Sequence, residues 1–162
     1  MNRIVIIGNS GSGKTTMGAR LAREYAIPHL DLDSFAWERP AVRRPLQESI
    51  AMIRDFVRAN PEWIVEGCYA GLAENILPFA TELRFLNPGI EACVRNCRAR
   101  PFERHKYASM EEQNARLDFL LSWVRDYAVR EDEYALAAHR RLFDAFSGLK
   151  REYTDPSGDT SE

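Results

Sequence analysis

The sequence predicts an α/β fold in which one parallel sheet is flanked by helices. Ile4-Val5-Ile6-Ile7 is an unbroken β-branched run, which is typical of a central parallel strand buried on both faces. Apolar residues recur at helical spacing from Lys14 onward, and extended and helical patterns alternate along the rest of the 162 residues. We therefore expect a single domain over residues 1–153, followed by a polar, disordered tail over residues 154–162.

Five extended segments are candidates for strands of this sheet. They span residues 4–7, 26–33, 63–65, 83–86 and 149–153, and we expect the last to be an edge strand. Helical patterns lie between them, at residues 48–59, from an Asn87-Pro88 start through Cys97, from a capping box at Ser109, and from about Glu131 to Phe146.

A glycine-rich stretch between the first strand and the first helix fits the pattern G-x-x-x-x-G-K-[ST] at every fixed position. Glycines let the backbone approach a ligand, so several N–H groups can point into one anion site at the positive end of the helix. Lys14 would reach the β- and γ-phosphates, and the Thr15 hydroxyl would bind Mg²⁺. The sequence predicts a P-loop that binds ATP through Gly8, Asn9, Ser10, Gly11, Ser12, Gly13, Lys14, Thr15 and Thr16.

Carboxylates follow two of the other candidate strands. Asp31 and Asp33 occupy alternate positions of an extended segment, which would put both on one side of a strand. Glu66 comes directly after Trp63-Ile64-Val65. Ligands of open parallel sheets bind at the carboxyl ends of the strands, so we expect these side chains to face the same crevice as the P-loop. A buried Glu66 would be costly without a partner, which favours a role in holding a metal through water.

The segment after the second strand mixes aromatic and basic residues. Phe35, Trp37, Arg39, Arg43 and Arg44 follow no core pattern. We interpret them as lining an acceptor pocket, with aromatics stacking and arginines holding an anionic group, and residues 34–60 as the acceptor-binding insertion. An exposed connection with ordinary charges is the alternative.

A second basic segment follows the fourth strand. Arg98, Arg100, Arg104, His105 and Lys106 lie within nine residues, with a proline among them. Like charges this dense repel one another unless they bind an anion, so we expect a lid over the triphosphate at residues 98–112. A solvated charge run is the alternative. Arg125, Arg130, Arg140 and Arg141 lie further along, and the sequence does not say whether one of them reaches the phosphates.

Cysteine and histidine give little indication of further chemistry. Cys93 and Cys97 are one helical turn apart, and we expect two small apolar residues on a buried helix face rather than a metal or redox pair. His139 precedes two arginines, and we expect it on the surface.

Composition excludes several classes of protein. The net charge is −2 and the pI is about 6.0, so no basic field recruits nucleic acid or a membrane surface. The first strand begins too early to leave room for a signal peptide, and no apolar stretch reaches the ~18 residues of a membrane span. Three cysteines are an odd number and argue against a disulfide framework. We expect a cytoplasmic protein that is a monomer or homodimer.

Four stretches together resemble the small P-loop kinases of the adenylate kinase and shikimate kinase group. They are GNSGSGKT at 8–15, PHLDLDSFAW at 28–37, WIVEGCY at 63–69 and CRARPFERHK at 97–106. Within that group the chain looks most like bacterial topology-modulation, or adenylate kinase-like, proteins. The resemblance implies a three-layer P-loop NTPase fold with a five-stranded parallel sheet, an acceptor-binding insertion and an arginine-bearing lid.

The resemblance also implies roles for single residues. Asp33 matches the acceptor-binding or base-like carboxylate of the group, and Asp31 a carboxylate on the metal side. Glu66-Gly67 stands where relatives usually have Asp-Gly, and Cys68 where the topology-modulation type usually has Asn. The three-glycine acceptor loop of shikimate kinases is absent after residue 65, so shikimate is not predicted as the substrate.

The sequence therefore predicts an ATP-dependent phosphotransferase that acts on a nucleoside monophosphate or a small hydroxyl compound. The alternative is a nucleotide-binding regulatory NTPase, associated with DNA and without a dedicated acceptor. The expected catalytic residues are Lys14, Asp33, Arg100 and Arg104. The expected acceptor-binding residues are Asp33, Phe35, Trp37, Arg43 and Tyr69, and the expected metal ligands are Thr15, Asp31 and Glu66.

Overall fold

A five-stranded parallel sheet carries the functional loops. The computed structural model describes residues 1–39, 42–104 and 107–155. In chain order its elements are β1 (Arg3–Gly8), α1 (Lys14–Tyr25), β2 (His29–Asp31), α2 (Asp33–Ala36), β3 (Trp37–Arg39), β4 (Val42–Arg43), α3 (Leu46–Ala59), β5 (Trp63–Gly67), α4 (Ala70–Glu74), β6 (Glu82–Leu86), α5 (Ile90–Arg98), α6 (Met110–Arg125), α7 (Leu136–Ala145) and β7 (Leu149–Tyr153).

The strand order is β2-β5-β1-β6-β7, and every neighbouring pair is parallel. The predicted α/β class and the edge position of the last strand are confirmed. Because all five strands run the same way, their carboxyl ends meet at one edge of the sheet, where the P-loop follows β1. β3 and β4 form a separate antiparallel hairpin, in which Trp37 pairs with Arg43.

Helices cover both faces of the sheet. Val5 and Ile7 of β1 face the larger core, which α3, α4 and α7 complete, while Ile4 and Ile6 pack against Met17 of α1 and its neighbours. This two-sided burial explains why β1 is apolar at consecutive positions. In a third cluster α5 packs on α6 through Cys93 and Cys97, which are buried as predicted.

Two predicted helix starts are wrong. Asn87 does not cap a helix, because its N–H donates to Tyr153 O (2.8 Å) and its Nδ2 to Glu152 Oε1 (3.0 Å), and α5 begins only at Ile90. α7 begins at Leu136 rather than near Glu131, since the preceding residues form turns.

Of the other local predictions, one strand end is wrong, one helix cap is confirmed, and some fall outside the described residues. The second strand ends at Asp31, and Asp33 begins the short helix α2 instead of lying in the strand. The cap at Ser109 is confirmed, because its Oγ accepts a hydrogen bond from Glu112 N (3.1 Å). His105 and Lys106 of the predicted lid, and residues 156–162 of the predicted tail, lie outside the described ranges. No helix within those ranges is both long and apolar enough to cross a membrane.

The P-loop approaches α5 so closely that only glycine fits at position 11. A Cβ there would lie 2.4 Å from Cys93 O and 2.7 Å from Cys97 Sγ, and the residue has φ +78°. Gly89 has a comparable positive φ of +96°, yet a Cβ there would meet no atom within 4 Å. The two glycines therefore share a backbone requirement and differ in steric room.

We expect Gly11→Ala to destabilise the fold by about 3 kcal/mol or more, because overpacking adds to the cost of an alanine at positive φ. Gly89→Ala is the matched control and should cost about 1 kcal/mol, from the backbone conformation alone. Urea denaturation of both variants measures the difference. Equal losses would mean that α5 moves aside and that the close approach imposes no constraint.

Candidate active site

A cavity of about 610 Å³ lies at the carboxyl edge of the sheet. Residues 10–17 form one wall, and the carboxylates Asp31, Asp33 and Glu66 form another. Arg100 and Glu103 of the predicted lid also line the cavity. The P-loop and the carboxylates that follow β2 and β5 are thus brought to one space.

The P-loop is held in shape by hydrogen bonds, and its Gly11 and Gly13 line the cavity. Asn9 Nδ2 donates to Val124 O (3.1 Å), while Asn9 Oδ1 accepts from Ser10 N (2.8 Å). Lys14 is only 8% exposed, and its Nζ donates to Asn9 O (2.8 Å). The first turn of α1 carries no acidic residue, so the positive end of the helix is not offset there.

These features fit a polyphosphate. The buried Ser12 Oγ has no hydrogen-bond partner within the described part of the chain, and a Cβ at Gly13 would meet open space. A buried ammonium, main-chain amides and a hydroxyl without a partner are together the groups that bind phosphate oxygens.

Thr15 and Glu66, two of the predicted metal ligands, are hydrogen-bonded to each other in the cavity. Thr15 Oγ1 donates to Glu66 Oε1 (2.7 Å), and the Glu66 side chain is 2% exposed. Burial, with Asp31 as the next cause, raises the pKa of Glu66, whereas Lys14 and the Thr15 hydrogen bond oppose that rise. His29 Nε2 lies 3.8 Å from Glu66 Oε1.

Among the described residues, no three His, Cys, Asp or Glu side chains converge closely enough to hold a metal by themselves. The donor set around Thr15 and Glu66 consists of one hydroxyl and a few carboxylates. It suits Mg²⁺, which takes one or two protein oxygens together with phosphate oxygens and waters.

Asp33 is positioned by a chain of hydrogen bonds. The Tyr69 hydroxyl donates to Asp33 Oδ1, and Trp37 Nε1 donates to the Tyr69 hydroxyl oxygen (2.7 Å). The N–H of Asp33 donates to Asp31 Oδ1 (2.9 Å). Burial, and then the charge of Asp33, raises the pKa of Tyr69, so its hydroxyl remains a donor at neutral pH.

The other predicted acceptor-binding residues do not line the cavity. Arg43 stacks 4.6 Å from the centre of the Tyr69 ring and 5.6 Å from that of Trp37. Phe35 packs against the larger core. Trp37, Tyr69, Arg43 and Phe35 are not among the cavity-lining residues, whereas Asp33 is.

The predicted lid contributes one arginine to the cavity. Arg100 Nη2 donates to Ser10 Oγ (3.0 Å), and its Nη1 lies 3.9 Å from Glu103 Oε2. Arg104 is exposed and does not line the cavity, so its role stays a prediction.

One residue that contacts the P-loop was not predicted from the sequence. Asn96 Nδ2 donates to Gly11 O (2.8 Å), and a single asparagine within a helix forms no sequence pattern that would indicate this contact.

Three of the later arginines pair with acids instead of reaching the loop. Arg130 binds Asp132, Arg140 binds Glu152 and Arg141 binds Glu74. In the described part of the chain, neither they nor Arg125 are among the cavity-lining residues.

The prediction that His139 lies on the surface is wrong. Its side chain is fully buried, with Nε2 2.9 Å from Cys68 O and Nδ1 2.8 Å from the Tyr127 hydroxyl. A carbonyl only accepts, so Nε2 carries the proton and the Tyr127 hydroxyl donates to Nδ1. Its position three residues before Leu142, on the same helix face, was a signal that could have placed it inside.

Comparison with known proteins establishes the fold. No family model matches the chain. The chain is 28% identical over 103 residues to the uncharacterized protein YqaC of Bacillus subtilis, covering 63% of this chain and 58% of that one. Over 39 residues it is 54% identical to the shikimate kinase of Bacteroides fragilis, which is 24% of this chain and 22% of the kinase.

A solved structure covers more of the chain. The shikimate kinase from Bacteroides thetaiotaomicron superimposes with a TM-score of 0.53 at 19% identity, over 88% of this chain and 97% of that one. The fold is the P-loop fold of shikimate kinases. The resemblance to topology-modulation proteins is not confirmed by these comparisons, and the sequence matches span less than two thirds of the curated relatives.

Burial lowers the pKa of His139 to about 4. As the pH falls below about 6.5 the unfolded chain takes up a proton before the folded protein does, so stability present above 6.5 is lost toward pH 4. We expect this residue to account for roughly 2–3 kcal/mol of loss between pH 7.5 and 4.5.

Urea denaturation of the wild type and of His139→Gln at both pH values isolates this contribution, because the amide does not titrate and can still donate to Cys68 O. The stability difference between the two proteins should shrink at pH 4.5. A difference that stays constant with pH would contradict a buried, neutral imidazole.

Proposed function

We propose that the protein is an ATP-dependent phosphotransferase that moves the γ-phosphoryl group of Mg·ATP to a small-molecule acceptor. The acceptor is a nucleoside monophosphate or a small hydroxyl compound. The observation that carries this proposal is that a phosphate-binding loop and a carboxylate fixed by two aromatic side chains share one cavity. A protein that only bound nucleotide would not require the second feature.

The loop amides and Lys14 would bind the β- and γ-phosphates. Thr15 would hold Mg²⁺ directly, with Glu66 and Asp31 acting through water, and the ion would supply positive charge to the phosphate oxygens. Asp33 orients the acceptor hydroxyl and takes its proton. The acceptor oxygen then bonds to the γ-phosphorus while the bond to the β,γ-bridging oxygen breaks, and ADP leaves.

Arg100 is the described lid arginine with access to the transferred group. It contacts Ser10 of the loop, so its positive charge lies beside the phosphate site. A helix N-terminus contributes about 0.3–2 kcal/mol, whereas a well-placed arginine changes the rate of phosphoryl transfer by about 10³–10⁵, equivalent to roughly 4–7 kcal/mol. We therefore assign the binding of the ATP phosphates to the P-loop and the acceleration of phosphoryl transfer to Arg100.

A coupled assay of ADP release over a panel of nucleosides, nucleoside monophosphates, sugars and cyclitols tests the proposal. We expect at least one acceptor to stimulate turnover, and Asp33→Asn to lower that stimulated kcat by about 10²–10⁴, since the amide keeps its bond to Tyr69 but cannot take a proton. Lys14→Ala should abolish Mg·ATP binding in isothermal titration.

Acceptor-independent hydrolysis together with salt-sensitive DNA binding would instead indicate the regulatory NTPase. Normal Mg·ATP binding by Lys14→Ala would contradict the assigned loop.

Arg100→Ala should lower kcat by about 10³ or more with little change in the Kd of ATP, because the arginine stabilises charge that spreads in the transition state. Arg104→Ala is the matched comparison, since it removes the same charge from an exposed position four residues away. We expect the smaller loss there. Unchanged kcat in both variants would show that the lid arginines take no part in the reaction.

A further inference from the structure

The peptide group between Gly11 and Ser12 is hydrogen-bonded at both ends. Its carbonyl oxygen accepts a hydrogen bond from Asn96 Nδ2 of α5 (2.8 Å). Its N–H donates to Asn9 O (3.2 Å), and that oxygen also accepts from Lys14 Nζ (2.8 Å). Because the C=O and N–H of a trans peptide point in opposite directions, these bonds form one chain from α5 through the loop to the ammonium group of Lys14.

Gly11 does not hold this peptide group in place by itself. It has φ +78° and no Cβ, so its backbone torsions are less restricted than those of any other residue type. Rotation of the peptide group would take the Ser12 N–H away from Asn9 O. It would also turn a carbonyl oxygen toward the interior of a loop that binds anions through donors. A hydrogen bond from outside the loop to Gly11 O therefore favours the arrangement that suits phosphate.

The stability of α5 does not explain an asparagine at position 96. The Asn96 side chain is exposed on the helix, where alanine is a better helix former than asparagine. Asn96 lines the active-site cavity together with Gly11 and Ser12 of the loop. Its hydrogen bond to Gly11 O is thus the contact that accounts for this residue type.

We infer that Asn96 is a positioning residue for the phosphates of Mg·ATP. It orients the peptide group between Gly11 and Ser12 and, through Asn9 O, the ammonium group of Lys14, without contacting the ligand itself. The inference rests on the proposed function, because that function assigns the loop to ATP. It adds to the phosphate site a residue that lies 85 positions from Gly11 and outside the P-loop motif.

Asn96→Ala tests the inference by isothermal titration with two ligands, Mg·ATP and magnesium tripolyphosphate. We expect the Kd of both to rise by about threefold to tenfold, because one hydrogen bond that orients the loop is lost. The factor should be the same for both ligands, since tripolyphosphate has the phosphates of ATP without the nucleoside.

Asn114→Ala is the matched control. It removes the same side chain from an exposed position of another helix, α6, and Asn114 does not line the cavity. We expect both Kd values of this variant to equal those of the wild type. Urea denaturation confirms that the two variants are folded under the conditions of the titration.

Amide hydrogen exchange of the ligand-free protein, followed by NMR, tests the assigned cause. The Ser12 N–H is protected by its bond to Asn9 O, and we expect it to exchange about fivefold faster or more in Asn96→Ala. The amide of Ile6 in the central strand β1 should exchange at the wild-type rate, because the rest of the fold is unaffected.

The outcomes separate this inference from the proposed function. Unchanged Kd values in Asn96→Ala, or weaker binding of Mg·ATP alone, would overturn the inference and leave the phosphotransferase in place. Weaker binding of both ligands with unchanged Ser12 exchange would also overturn it, because Asn96 would then contact the phosphates directly. A wild-type protein that binds neither ligand would overturn the proposed function, and this inference with it.

Discussion

The site depends on one constraint, which is that the P-loop lies against α5 and α6 with almost no free space. Gly11 touches the backbone of Cys93, Asn96 binds Gly11 O, and Asn9 binds Val124 O near the end of α6. These contacts fix the loop from the side of α5 and α6. Within the loop, Asn9 accepts hydrogen bonds from Ser10 N, Ser12 N and Lys14 Nζ, so the backbone and the ammonium group are held in one arrangement beside the cavity. A site whose polar groups are already oriented binds charge more strongly than one that must first rearrange.

The burial of ionisable side chains in this arrangement lowers the folding stability of the protein. Lys14 and Glu66 are both more than nine-tenths buried, and a charge is removed from water at high free-energy cost unless it is paired. The Thr15 hydroxyl and the Asn9 carbonyl satisfy part of their hydrogen-bonding capacity. A buried ammonium group and a buried carboxyl group around one cavity are thus more consistent with binding than with stability, because apolar residues in place of such pairs often leave the stability of a fold unchanged or raise it.

The parts that the sequence predicted are those encoded locally. The P-loop motif contains its own geometry in the glycines and lysine, and the buried strands follow from consecutive apolar residues. Two of the wrong predictions involve partners that are distant in sequence. Asn87 would have capped a helix, but β7 supplies Tyr153 O and Glu152 as competing partners 65 or more residues away. The spacing of His139 from Leu142 indicates a buried helix face, but no local pattern reveals Tyr127 and Cys68 O, which satisfy both ring nitrogens and so permit the burial.

The arginines show why charge in a loop is a weak indicator of a ligand. The sequence indicates an anion-binding cluster at Arg43 and Arg44, yet these arginines donate to the carbonyls of Ala36 and Phe35 in α2 and to a carboxylate 90 residues further on. The short hairpin has few apolar residues to stabilise it, so the guanidinium group of Arg43, stacked on Trp37 and Tyr69, takes the place of a core. Because this stack also supports the Tyr69 hydroxyl that binds Asp33, Arg43 affects the position of Asp33 through packing.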